Sequence, residues 1–279
     1  MATQSKLRIF LWNWPTRAAL AIIAVVVLMA VFAPWLGTQD PIFMDPGVRL
    51  QGPSAAHWLG TDPFGRDLYS RVVYGSRVSL IVGAAILCIS IICGVALGAV
   101  AGYFRALDGV IMRTMDGIMA IPRVLLAIAL VAVSGSSLTT VIVAIAIPET
   151  PRVTRLVRSV ILSVVNEPYV EAAITLGTSS MRVLWRHLLP STVSPLIVQG
   201  TYIFASAVLV EAILSFLGAG VPPEVPSWGN IIANGRNYFQ LEPGLVLYPG
   251  AMLSLTILAI NLLGDAARDT LDPKLEARN

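Results

Sequence analysis

An all-α integral membrane protein is the fold class this sequence predicts, with six transmembrane helices and a polar helical hairpin before the fifth. Two observations carry it. First, 56% of the 279 residues are hydrophobic and 13% charged, where soluble domains average about 25% charged. Second, five apolar stretches, Ala18 to Leu36, Val78 to Ala101, Ile118 to Val133, Leu196 to Leu217 and Leu245 to Leu263, each come near the roughly 20 residues that cross hydrocarbon.

The first stretch reads as an uncleaved anchor: Lys6, Arg8 and Arg17 precede it, and Pro34 directly follows Ala33, the plausible small-residue cleavage site. A connection follows, with His57-Trp-Leu-Gly-Thr-Asp-Pro-Phe-Gly-Arg-Asp-Leu-Tyr-Ser-Arg71 and then Tyr74-Gly-Ser-Arg77. Its Asp-Pro and Gly residues make turns, and Asp62, Asp67, Arg66 and Arg71 can pair at the membrane surface. The chain is thus divided into residues 1–77, comprising tail, first helix and connection, and a core of five helices over 78–279.

In the second stretch Gly83, Gly94 and Gly98 include a Gly-x-x-x-Gly pair that allows close helix approach, within this chain or against a partner. Cys88 and Cys93, five apart, fall on different helix faces and read as packing residues, neither a disulfide nor a metal site. The third stretch is short and can borrow Val110 to Gly117 if Arg113 and Asp116 pair at i, i+3 or lie near headgroups. The next span is the least apolar. Leu138 to Ile147 must run on through Pro148, Glu149, Pro151, Arg152, Arg155 and Arg158, with the arginines reaching toward cytoplasmic headgroups. Glu211, near the outer end of the fifth span, is a candidate for the translocation path or outer gate, or else an interhelical hydrogen bond that fixes packing. Asn261 reads as interhelical glue in the last span.

Charge orients this array. Of the nineteen Lys and Arg, all but Arg49, Arg66, Arg71, Arg77, Arg236 and Arg123 fall in 1–17, 103–113, 149–195 and 265–279. The positive-inside rule therefore puts both termini in the cytoplasm of an inner membrane protein, and the asymmetry accounts for the net charge of +3 with no nucleic-acid partner. Catalytic chemistry is poorly supported. The lysines, Lys6 and Lys274, lie in no Walker loop; His57 and His187 are too far apart for an His-Glu-x-x-His zinc site; and no Gly-x-Ser-x-Gly elbow occurs. A channel lacks its Thr-Val-Gly-Tyr-Gly filter.

The most telling segment is 166–190. Asn166 can cap a short helix with Glu167 and Pro168 in its first turn and Gly177 as the left-handed stop, and Tyr169, Ala172, Ala173 and Leu176 make one apolar face. A second short helix can start at Ser179 or Ser180 and end before Pro190. Glu171, Ala172, Ala173, Gly177, Leu189 and Pro190 stand at the spacing of the coupling loop of ABC importer permeases, with His187 where that signature usually has Ile. The chain resembles this family, and Arg186-His-Leu-Leu-Pro190 resembles its dipeptide and oligopeptide branch. The likeness extends to the second, C-type permease of peptide and nickel importers through the His57–Arg71 motif, Leu214-Ser-Phe-Leu-Gly-Ala-Gly, Pro226-Ser-Trp-Gly, Pro249-Gly and Asn261 to Pro273.

That resemblance implies six helices of the type I importer kind, a transport role without an ATPase site, and no cofactor in this chain, ATP and Mg belonging to partners. The implied partners are a homologous B-type permease, two ATP-binding subunits, an extracytoplasmic binding protein and membrane lipid. The implied cargo is a short peptide, with nickel, glutathione or an opine-like solute as alternatives. Glu171 would be a charged contact at the joint with the ATPase, Ala172 and Ala173 would permit close docking, and Gly177 the bend.

Overall fold

The computed structural model describes residues 13–271. Among these the regular elements are helical. They are α1 (Trp14–Phe32), α2 (Leu68–Tyr103), α3 (Arg105–Ala120), α4 (Arg123–Ser134), α5 (Leu138–Val164), α6 (Pro168–Thr175), α7 (Ser180–Val183), α8 (Leu189–Phe216), α9 (Trp228–Gly235) and α10 (Gly244–Leu271). Lys6, Arg8, Lys274 and the end of the Asn261–Pro273 motif lie outside the described residues.

Four segments are long and apolar enough to cross a membrane: Trp14–Trp35, Leu68–Tyr103, Ser180–Phe216 and Gly244–Thr270. The third predicted span is not one straight helix. Pro122 disfavours helical backbone at Ile121, and α3 and α4 meet there at 90°, the geometry of a broken span or a re-entrant loop. The borrowed turns of α3 therefore do not extend α4. Asp116 also does not pair with Arg113: it meets Arg155 at 2.5 Å, because the bend brings α3 against α5.

The polar span is a continuous helix of 27 residues through Pro148 and Pro151, about 40 Å long. Its arginines do not simply stretch to headgroups. Arg158 grips Asp108 of α3 through two nitrogens, at 2.5 and 2.6 Å, and Arg155 holds Asp116. What keeps α5 in place is its packing on α2, the most extensive helix pair among the described residues. A Cβ placed on Gly94 would stand 2.4 Å from Val153, one on Gly98 2.6 Å from the Thr154 carbonyl, and one on Gly102 2.9 Å from Ile161. The small-residue stripe is thus used within this chain, and it runs one step beyond Gly98. Gly83 does the same against Phe204 and Val208 of α8.

Two apolar cores result, bridged by α2 and α8. One joins α2, α4, α5, α8 and the α6–α7 hairpin around Ile86, Ile145, Val157, Leu188 and Ile203. The other joins α1, α2, α8, α9 and α10 around Val26, Val72, Val208, Trp228 and Leu245. Cys88 and Cys93 belong to neither. Both are exposed on the outward face of α2, so they are not packing residues within the chain. Periodicity missed this because a lipid-facing stripe is as apolar as a core. Asn261 is likewise exposed on α10 and joins no helices among the described residues.

Candidate functional site

Local chemistry shapes the hairpin. Pro168 occupies the first turn of α6, with Glu167, one residue later than expected, as the cap. At the other end Gly177 has φ +81°, the Gly177 amide bonds the Ile174 carbonyl and the Thr178 amide bonds the Ala173 carbonyl. This reciprocal pair closes the helix with a left-handed residue. Open space surrounds Gly177, so only backbone conformation asks for glycine there.

The second helix does not end before Pro190. After α7, which Ser179 precedes as cap, the backbone passes through one π-helical turn, Leu184–Leu188, and runs straight into α8. The Leu189 amide bonds the Leu184 carbonyl five residues back, and Pro190, lacking an N–H, cannot restore the α-helical register at the next step. Leu189 and Pro190 therefore form the splice between hairpin and span, in a rod of 37 residues, Ser180–Phe216.

Val170, Val183, Leu184 and Leu188 bury themselves in the larger core and fix the hairpin to it. The opposite side is bare. Leu176 is 86% exposed, Trp185 68%, Met181 59% and Tyr169 50%, with Glu171, Ala172 and Gly177 also exposed and Ala173 half-buried. His187 is half-buried and its ring lies 6.2 Å from that of Tyr169. An apolar patch on a polar hairpin marks a surface built to be covered.

Glu211 stands elsewhere, fully buried in the C-terminal half of α8. One carboxylate oxygen accepts from Ser215 and from Ser227, each at 2.8 Å. Ser227 also caps α9, and Asn230 on that helix donates to the carbonyls of Val221, Pro222 and Val225. Next to it Trp228 is completely buried and donates its indole N–H to the Val72 carbonyl at 3.0 Å. The 57–71 connection is equally bonded. Asp62 accepts from Arg66 at 2.6 Å and lies 3.7 Å from Arg71, while Asp67 caps α2 and meets His57 at 3.0 Å. The expected acid–base pairing is there, but inside the connection: Arg66 and Arg71 are about 1% exposed or less.

A further cluster was not singled out in the sequence. Arg123, the first residue of α4, reaches Glu149 of α5 at 3.2 Å and Ser206 of α8 at 2.9 Å. Ser206 donates to the same Glu149 oxygen at 3.2 Å, and Arg152 lies 3.6 Å from the other one, with its guanidinium 5.7 Å from the Tyr202 ring centre. A signal existed: Glu149 is an acid in a proline-flanked apolar helix, and Arg123 follows a helix-breaking Pro122. Among the described residues no group of His, Cys, Asp and Glu could hold a metal ion.

Residues 90–277 match the family described as the binding-protein-dependent transport system inner membrane component, and residues 3–53 match the N-terminal TM domain of oligopeptide transport permease C. A probable peptide ABC transporter permease protein of Sinorhizobium fredii is 54% identical, covering 90% of this chain and 86% of that protein. A dipeptide transport system permease protein of Alkalihalophilus pseudofirmus is 44% identical over 92% and 85%, and a glutathione transport system permease protein of Pectobacterium atrosepticum 38% over 97% and 90%. An inward-facing structure of the MetNI methionine ABC transporter shares the fold, with TM-score 0.60 and 17% identity over 74% of this chain and 98% of that one. The chain is therefore a multi-pass membrane permease, not itself an ATPase, of a kind that assembles with ATPase and substrate-binding partners, and it belongs to the binding-protein-dependent transport system inner membrane component family.

Proposed function

We propose that this chain forms half of the translocation pore of an importer for short peptides, paired with a homologous B-type permease and driven by two ATP-binding subunits that carry the ATP and Mg. The relatives named for peptide and dipeptide transport support that cargo. In this reading there are six crossings, α1, α2, the broken α3–α4 pair, α5, the α7–α8 rod and α10. Both termini and the hairpin face the cytoplasm, as the distribution of Lys and Arg favours. The observation that carries the mechanism is the exposed apolar patch of a hairpin that runs on, through one π turn, into a membrane rod.

An ATP-binding subunit holds the hairpin through Tyr169, Leu176, Met181 and Trp185, with Glu171 as the charged contact and Ala172 and Ala173 allowing close approach. Closure of the ATPases drags the hairpin, and the rod transmits that displacement to the pore, switching access between the two sides. Glu211 acts on the outer gate through the α9 segment that it pins, not by touching cargo.

The test is uptake of labelled dipeptide, a longer peptide and nickel in a strain lacking the gene, with the chain restored. Dipeptide uptake should return. The Glu171→Lys chain should reach the membrane at wild-type abundance while uptake fails and ATP hydrolysis no longer responds to cargo. Normal uptake by Glu171→Lys would refute the coupling role, and restoration of nickel uptake alone would refute the cargo.

A further inference from the structure

The Arg123–Glu149–Arg152 cluster lies at mid-depth of the helix bundle. Glu149 is the twelfth of the 27 residues of α5, and the register of that helix on α2, with Ser90 bonding the Ala146 carbonyl and Gly94 against Val153, sets it beside the middle of α2's apolar run. At that depth a guanidinium facing hydrocarbon costs several kcal/mol. Yet the Arg123 side chain is 37% exposed and that of Arg152 34%, while Glu149 between them is 1% exposed. Such arginines must meet water or protein on their open side.

Three features make this more than a structural clamp. The cluster holds two cations against one anion. Nη1 alone makes both of Arg123's contacts among the described residues, out of the five donors a guanidinium offers. The second oxygen of Glu149 is buried without a hydrogen-bond partner, since Arg152 stands 3.6 Å off and leans toward Tyr202, itself half exposed. Arg152 is thus attracted to Glu149 but not tied to it. Beside it the span is interrupted at Ile121–Pro122, and broken helices at mid-depth are tolerated where they line a cavity.

We propose that Arg123 and Arg152 form a transient site for the terminal carboxylate of the cargo, with Glu149 as the buried counter-charge that positions both guanidinium groups. Planar forks suit a carboxylate, and a net charge of one favours brief contact over capture. The inference rests on the reading of the chain as half of a peptide pore.

The experiment uses the assembled complex with its partner permease, ATPases and binding protein, and with the exposed Cys88 and Cys93 replaced by Ser. Arg152→Cys and, separately, Arg123→Cys are treated with a charged thiol reagent that cannot cross the membrane, during ATP turnover. Both should be labelled, and a saturating free-acid dipeptide should slow labelling several-fold where its C-terminal amide does not. No labelling would mean that the partner permease covers the cluster, and equal slowing by acid and amide would mean that it does not read the carboxylate; either overturns the proposal. Should neither cysteine variant assemble, Arg152→Lys and Arg152→Gln are compared for uptake at equal abundance. Retention by Lys with several-fold loss by Gln supports the site, and equal uptake overturns it. Uptake by the wild-type complex separates the two inferences: without peptide uptake the functional reading itself fails, whereas with uptake and no protection only this site does.

Discussion

The two ends of the bundle satisfy their surfaces in opposite ways. At the end carrying the 57–71 connection and α9, charges and one indole are buried and bonded within the chain: Asp62 to Arg66, Glu211 to Ser215 and Ser227, Trp228 to Val72. At the hairpin end four aliphatic side chains anchor the segment and the remaining large ones face outward. The first end buries its charged network within the chain, although Trp58 and Phe43 stay exposed there, and that network should respond to mutation as a folded core does. The hairpin leaves its large apolar side chains uncovered, so under the proposed docking its mutations should change assembly more than stability.

The contrast can be broken most forcefully at Asp62. Asp62→Ala leaves the buried Arg66 and Arg71 without their counter-charge, and removing one partner of a buried pair costs about 3–5 kcal/mol. Thermal unfolding of the purified chain in detergent should show the largest drop in this series. Glu211→Ala comes next, at about 1–3 kcal/mol, because it strands two buried hydroxyls. Glu211→Gln, which keeps an acceptor, should recover most of that loss. Gly177→Val forces a β-branched residue to φ +81° at a cost of about 1–2 kcal/mol, confined to the hairpin, and coupling should fail before melting changes noticeably. At the small end Trp185→Asp should stay within about 0.5 kcal/mol of wild type in melting, yet lose retention of the ATPase subunits on a tagged complex. A large melting loss in Trp185→Asp would erase the contrast.

What the sequence disclosed was mostly local. Pro168 and Gly177 delimit α6 because a fixed φ and a positive φ act on their own backbones, and apolar runs mark spans by length alone. The 90° turn at Pro122 was also legible in principle, since proline restrains the residue before it. Partnerships across the fold were not. Asp116 meets Arg155 and Asp108 meets Arg158 only after that turn lays α3 against α5, so a pairing rule based on i, i+3 neighbours chose Arg113 instead. Arg123, Glu149 and Ser206 converge from three helices, and no spacing in the chain announces it. Pro190 misled in another way: it reads as a stop, but the π turn just before it accommodates the missing N–H, so the preceding helix runs on through it.

That splice has a mechanical corollary. Thirty-seven helical residues measure about 55 Å, and the π turn at Leu184–Leu188 and Pro195 within α8 are the places where this shaft can depart from a straight rod. A displacement at the Ser180 tip would be carried toward Phe216 along one backbone, against which α2 and α10 pack. In the proposed transport cycle, hairpin and pore segment would then move as parts of one helical element.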